Sequence, residues 1–209
     1  MNGTAKSTTR KIALVVGFAL ILLVPLTIFV LPTNRPAQSG LPEPMESRKL
    51  EEQEAVVYGL PVRLKVPKIK VDAAVSLMGL KENGDMEAPK DGRGVGWYKI
   101  GSRPGNNGTA VMAGHYGQWK NGEGSVFDDL DKLEKGDKVY VEDDHGVTAT
   151  FVVRELRSYR RGEKAPSVFN FSSDGKAYLN LVTCQGDWNE GQGSYSDRLV
   201  VFAYKEIAP

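Results

Sequence analysis

The sequence predicts a mainly β domain, a closed or nearly closed barrel of about eight strands with one or two short helices. From Leu60 onward, short alternating or wholly apolar runs follow one another, separated by Gly, Pro, Asn and Asp. Glycine is frequent, at 23 of 209 residues, which suits a loop-rich β domain. Long runs with helical periodicity are scarce beyond the first sixty residues.

The elements follow in order. Val62–Val66 alternates apolar and polar, the period of a half-buried strand, with Pro67 at its end. Val71–Val75 starts again, and Asn83-Gly84 signals a tight turn. Gly94–Tyr98 is another short strand, followed by a Gly/Pro/Asn-rich loop over 101–108. Thr109–Gly114 is apolar throughout and reads as a strand buried on both faces. After His115 comes a polar, Gly-rich loop to about Gly124. Val126, Phe127, Leu130 and Leu133 then recur at helical spacing, enough for one amphipathic turn or two. Gly136-Asp137 stops it. Lys138–Glu142 and Val147–Leu156 form a hairpin around Asp144-His145-Gly146. Tyr178–Thr183 and Leu199–Tyr204 are two more strands, joined by a long loop from Gln185 to Asp197.

The N-terminus differs in kind. Residues 12–31 carry no charge and are almost wholly apolar, about the 20 residues that span a bilayer as a helix. Lys6, Arg10 and Lys11 precede them, so residues 1–11 are expected in the cytoplasm and the rest outside. A cleaved signal peptide would share that basic start, but its apolar core is usually about 7–15 residues and a small-residue cleavage site follows it. The expectation is therefore a single-pass transmembrane anchor in the cell membrane. Residues 32–59, with Pro32, Pro36, Pro42 and Pro44 and a charged run from Glu46 to Glu54, read as an extracytoplasmic tether. The domain occupies 60–209.

Charge excludes some functions. Lys+Arg number 27 against 26 Asp+Glu, with no basic stripe, which argues against nucleic acid as a partner. One cysteine and two distant histidines give no zinc spacing. The pair Asp128-Asp129 and the cluster Glu142-Asp143-Asp144 could ligate calcium, although solvated charge is the commoner state of such groups. No Gly-rich phosphate loop precedes a long helix. No cofactor is expected.

Three residues carry chemistry. Cys184 is the only cysteine. Outside the membrane it cannot form an internal disulfide, so it is either a packing residue or a working thiol. It closes an apolar run beside a polar, glycine-bearing loop, where rigid scaffolds present reactive groups. His115 also ends an apolar strand, and an imidazolium can hold a thiolate or protonate a leaving group. Arg198 opens the strand that follows Cys184 in sequence. Its fixed N–H donors suit a carbonyl oxygen that becomes an oxyanion. Taken singly, each has a bland reading: a surface histidine, a buried thiol, an ion pair of Arg198 with Asp197, Asp187 or Glu190. His145, in an apparent hairpin turn, reads as structural.

Together these residues resemble the sortases, membrane-anchored cysteine transpeptidases. The family's Thr-Leu-x-Thr-Cys strand end corresponds to Asn180-Leu181-Val182-Thr183-Cys184, with Asn180 departing from the pattern. Ala113-Gly114-His115 and Asp197-Arg198-Leu199 match the flanks of its histidine and arginine. The likeness runs from about Pro61 to Tyr204, and Gly96-Trp97-Tyr98 and Gly114-His115-Tyr116 look most like class F or E. The resemblance implies a sortase-like barrel with His115, Cys184 and Arg198 as catalytic residues and Thr183 lining the peptide groove. It implies cleavage of a Leu-Pro-x-Thr-Gly sorting signal after Thr through a thioacyl enzyme. The acyl group then passes to an amine acceptor such as a peptidoglycan precursor or a pilin lysine. Its partners are then surface proteins bearing such signals. The chain's own Leu31–Asn34 and Leu41–Pro44 lack the Thr-Gly such a signal needs.

Rival readings remain open from the sequence. One is a non-catalytic extracytoplasmic β-barrel binding module with a buried structural cysteine. A papain-like peptidase has its cysteine before its histidine, opening a helix, the reverse of the order here. A cysteine L,D-transpeptidase shows a His-Gly-Cys neighbourhood that is absent.

Overall fold

The computed structural model describes residues 56–120, 122–169 and 174–207. The expected anchor and nearly all of the expected tether lie outside them. No helix among the described residues is long and apolar enough to cross a membrane.

Eight strands form the domain: β1 (Pro61–Val66), β2 (Val71–Met78), β3 (Val95–Tyr98), β4 (Gly108–Gly114), β5 (Lys138–Asp143), β6 (Thr148–Arg160), β7 (Ala177–Asn189) and β8 (Ser194–Lys205). They close into a barrel in the order β1-β2-β3-β4-β7-β8-β6-β5, with β5 pairing back onto β1. Closure gives each strand a hydrogen-bonded neighbour on both sides within the barrel. The pairs β2–β3 and β4–β7 are parallel, so each needs a long connection rather than a hairpin. Residues 79–94 make the first. The second carries β5 and β6.

Strand alternation sorts side chains to two faces. The inward face of the barrel packs Leu64, Trp97, Met112, Phe151, Leu179 and Leu181 into the main core. Each such burial is worth about 1.5–3 kcal/mol. The expected amphipathic turns are present: Val126, Phe127, Leu130 and Leu133 are all buried, and Leu130–Lys132 is a 3₁₀ turn. Tyr58, at the end of the expected tether, also packs in this core.

A second cluster lies on the outer face. There Val111, Val200 and Phe202 pack against Val168 of a single helical turn, α1 (Pro166–Phe169). The Asn180 side-chain amide donates to the Val168 carbonyl at 2.8 Å and holds α1 in place. β4 is buried on both faces because α1 covers its outer side.

Two local expectations change. Val62 faces solvent, at 41% exposed, because a register shift between Pro61 and Arg63 interrupts the alternation of β1 against β5. The predicted loop over 185–197 is instead a β ribbon. β7 and β8 run on past Cys184 and Arg198, with Trp188 opposite Tyr195 and Asn189 opposite Ser194, after a bulge between Gln185 and Trp188. Its residues are largely exposed and polar, so the sequence has no apolar alternation to mark it as strand.

Candidate active site

Register brings the predicted residues together. Arg198 is the direct cross-strand partner of Cys184 in the antiparallel β7–β8 pair, so both side chains leave the same face of the sheet. That face is the outer one. The preceding pair on that face is Val182 opposite Val200, and the one before it is Asn180 opposite Phe202, members or neighbours of the outer cluster. On the other side of β7, the parallel partner of Val182 is Ala113. His115 lies two residues beyond Ala113, as Cys184 lies two beyond Val182, and so comes off β4 level with the thiol. His115, Cys184 and Arg198 thus continue one cross-strand row on the barrel's outer wall. This corrects the expectation that Cys184 sits at a strand end facing a loop. It lies inside β7, where the buried half of the strand gives way to the solvated ribbon.

The end of β4 is held closely. The Thr183 hydroxyl donates to the Gly114 carbonyl at 2.8 Å, and the Phe127 N–H donates to the His115 carbonyl at 3.0 Å. Gly114 has to be glycine, since a Cβ there would stand 2.5 Å from the Phe127 ring and 2.6 Å from Val126. Thr183 itself is only 3% exposed. Its hydroxyl ties β4 to β7 beneath the row.

The His115 imidazole is fixed on two sides. Its Nε2 lies 2.9 Å from the Pro89 carbonyl oxygen, and its ring centroid is 4.5 Å from that of Trp119. The following loop is clamped by Asp128, which accepts from the Gly117 N–H at 2.7 Å and the Ser125 N–H at 2.8 Å. Both carboxylate oxygens serve the loop, and Asp129 pairs with Lys132 at 2.8 Å, so this acidic pair has a structural use.

Cys184 is a free, partly exposed thiol. The Arg198 guanidinium donates through Nη1 to the Asp197 carbonyl at 2.9 Å and the Tyr195 carbonyl at 3.4 Å. Among the described residues it makes no ion pair with Asp197, Asp187 or Glu190. The sequence reading missed an aromatic group beside these residues: Tyr195 packs edge-on against Tyr116 and Trp188, each at 5.1 Å between centroids. Burial pushes the Tyr195 phenol up, with Tyr116, Cys184 and Asp128 adding to the effect. The phenol therefore stays protonated near neutral pH. Two large aromatics, Trp188 and Tyr195, inside a polar stretch were the available signal.

His145 stands apart in the β5–β6 turn. Asp143, Asp144 and His145 lie near one another, but the carboxylates are engaged. Asp143 accepts N–H bonds from Gly59 at 2.6 Å, Val147 at 2.8 Å and His145 at 2.9 Å. Asp144 accepts from the Leu60 N–H at 2.8 Å. Burial pushes the Asp143 carboxyl up, but these three bonds outweigh it and hold the group below its usual value.

Comparison with known proteins agrees with the fold. The family model described as Sortase domain matches residues 64–206. Sortase C-1 from Actinomyces oris is 24% identical, over 70% of this chain and 73% of that one, with a TM-score of 0.53. Sortase A from Corynebacterium diphtheriae, as a lid mutant, is 18% identical over 77% and 76%, with a TM-score of 0.54. A Clostridium perfringens sortase D5 transpeptidase is 21% identical over 75% and 86%, with a TM-score of 0.52. At these identities the solved structures share the barrel fold. No curated protein sequence matches. With the family model covering the barrel from Leu64 in β1 to the residue after β8, the chain belongs to the sortase family, whose members are cysteine transpeptidases.

Proposed function

We propose that this chain is a membrane-anchored transpeptidase that cleaves a Leu-Pro-x-Thr-Gly sorting signal after Thr and passes the acyl group to an amine on the cell surface. The observation that carries this reading is the cross-strand pair of Cys184 and Arg198, with His115 leaving the adjacent strand at the same level.

The Cys184 thiolate attacks the Thr carbonyl carbon, forming the C–S bond and placing charge on the carbonyl oxygen. Arg198 steadies that oxyanion and positions the peptide, with a backbone N–H beside Cys184 assisting. Its guanidinium rests on neutral carbonyls, which leaves its charge available to the oxyanion. As the C–N bond breaks, the His115 imidazolium gives its proton to the departing glycine amine. An acceptor amine then attacks the thioester, returns a proton to His115 and frees the thiolate. Water in its place gives hydrolysis. Thr183 serves by setting the groove beside the signal's Thr through its bond to Gly114. No cofactor enters.

The substrates are surface proteins bearing the signal, and the acceptor is an amine on a peptidoglycan precursor or a pilin lysine. Residues 12–31, preceded by Lys6, Arg10 and Lys11, support a single-pass anchor with a cytoplasmic N-terminus. Gly96–Tyr98 and Gly114–Tyr116 support assignment to class F or the neighbouring class E.

The test is ligation by the full chain in detergent micelles, using Leu-Pro-x-Thr-Gly peptides varied at x and oligoglycine or lysine acceptors. The expected result is an acceptor-dependent product joined through Thr. No cleavage across the panel, with Cys184 inert to thiol reagents in the native chain, would favour a binding module.

A further inference from the structure

Among the described residues His115 has no carboxylate partner in its hydrogen bonds; what holds its ring is a backbone carbonyl. Pro89 lies in the connection between β2 and β3, and that connection is pinned around it. Gly79 and Glu87 exchange bonds, the Glu87 N–H to the Gly79 carbonyl at 3.0 Å and the Gly79 N–H to the Glu87 carboxylate at 2.6 Å. Asp91 caps the far side, accepting from the N–H groups of Arg93 at 3.0 Å and Gly94 at 2.5 Å. The Gly92 carbonyl accepts from the Val126 N–H at 2.8 Å. Pro89 is buried, and its ring fixes φ. The bonds on either side of Pro89 hold the segment that presents its carbonyl oxygen.

A carbonyl oxygen can only accept. At 2.9 Å from it, His115 Nε2 carries the proton. Trp119 fixes the ring's tilt, with centroids 4.5 Å apart and planes at 42°. Trp119 is in turn seated on Gly92, where a Cβ would stand 2.7 Å from its ring. Nδ1 has no hydrogen-bond partner among the described residues, so it is the nitrogen free to face substrate.

We propose that the Pro89 carbonyl locks His115 as an Nε2–H donor and that Nδ1 is the atom that gives and takes the catalytic proton. Pro89 is then a positioning residue, acting through its backbone oxygen. The catalytic half of this inference rests on the transpeptidase reading; the ring orientation does not. In the imidazolium both nitrogens are protonated. Breaking the Thr–Gly bond moves the Nδ1 proton to the leaving amine, while Nε2–H stays on Pro89. The acceptor amine's proton returns to Nδ1 as the N–C bond forms and the C–S bond breaks. A neutral acceptor keeps the ring in one orientation throughout, because Nε2–H persists in both protonation states.

The chain has only two histidines, so imidazole ¹⁵N spectra of the full chain in micelles are assigned with the single variant His145→Gln. For His115 we expect a directly observed Nε2–H signal, a through-hydrogen-bond coupling to the Pro89 carbonyl carbon, and an unprotonated Nδ1 in the neutral ring. A neutral ring with its proton on Nδ1, or an Nε2–H that exchanges as freely as that of exposed His145 and shows no coupling, would overturn the orientation. These spectra need no peptide, so they stay readable if the transpeptidase reading fails. Given ligation activity, His115 is replaced by histidine methylated at Nδ1, which blocks that nitrogen and leaves the Nε2–H to Pro89 bond, with its coupling, only in the cationic ring. The methylated protein should lose kcat by a factor of about 10² or more, with KM unchanged. Wild-type kcat in that protein would overturn the assignment of the proton to Nδ1.

Discussion

The two halves of the β7–β8 hairpin share one backbone ladder but live in different surroundings. From Tyr178 to Thr183, paired with Leu199 to Tyr204, most side chains are buried between the main core and the outer cluster. From Gln185 to Asn189, paired with Ser194 to Asp197, they are largely solvated. Cys184 and Arg198 form the pair at the border. The buried half sets their position through packing, and the ribbon leaves them accessible to a peptide. Reactive groups need both conditions, and a single strand pair that passes from core to solvent supplies them within one residue.

Substitutions across the border should separate activity from stability. Cys184→Ala should abolish the acyl adduct, because no other thiol exists in the chain, while chemical denaturation shifts by less than about 1 kcal/mol. Arg198→Ala should lower kcat/KM for peptide cleavage by about 10²–10³-fold, the scale for removing an oxyanion donor. Leu181→Ala, three residues into the buried half and with no exposed surface, should reverse the pattern. We expect a loss of about 2–5 kcal/mol in urea unfolding, with kcat per folded molecule little changed. A Leu181→Ala protein of normal stability and poor kcat would erase the distinction between the halves.

A second hairpin, β5–β6, sharpens the comparison because its carboxylates are engaged by backbone N–H groups. Asp143 holds three N–H groups, and its carboxyl sits below its ordinary value. A depressed pKa gives stability that is present above the unfolded pKa of about 4 and is lost as pH falls through the folded value. Asp143→Asn should therefore cost about 1–3 kcal/mol at pH 7 and flatten the decline in Tm below pH 4, leaving kcat unchanged. The smallest effect is expected at Trp188, which is 55% exposed on the ribbon. Trp188→Ala should leave stability within about 0.5 kcal/mol and raise KM several-fold, by removing a packing partner of Tyr195 beside the thiol.

The barrel was legible because the eight runs that form strands carry apolar residues at a strand's spacing, and burial enforces that spacing. The row of His115, Cys184 and Arg198 was legible from flanking motifs and chain order, since register converts those into adjacency. The ribbon was not, because a solvated strand pair has no buried face to pattern its sequence. Val62 was misassigned because a bulge reverses alternation without leaving a mark in composition. The turn α1 is held by one bond from Asn180 and the packing of Val168, too short a segment for periodicity. Pro89 left no signal, since its contact with His115 is made by a carbonyl oxygen that every residue possesses.

The central claim is that Cys184, flanked by His115 and Arg198 on the outer wall, forms a thioester with a sorting signal. Intact-protein mass of the full chain after incubation with a Leu-Pro-Ala-Thr-Gly-containing peptide tests it most directly. The account predicts an adduct equal to the peptide up to its Thr, absent in Cys184→Ala, reduced in Arg198→Ala and discharged by an added amine. Unmodified protein throughout a panel of such peptides, with a thiol that does not react in the native chain, would contradict it.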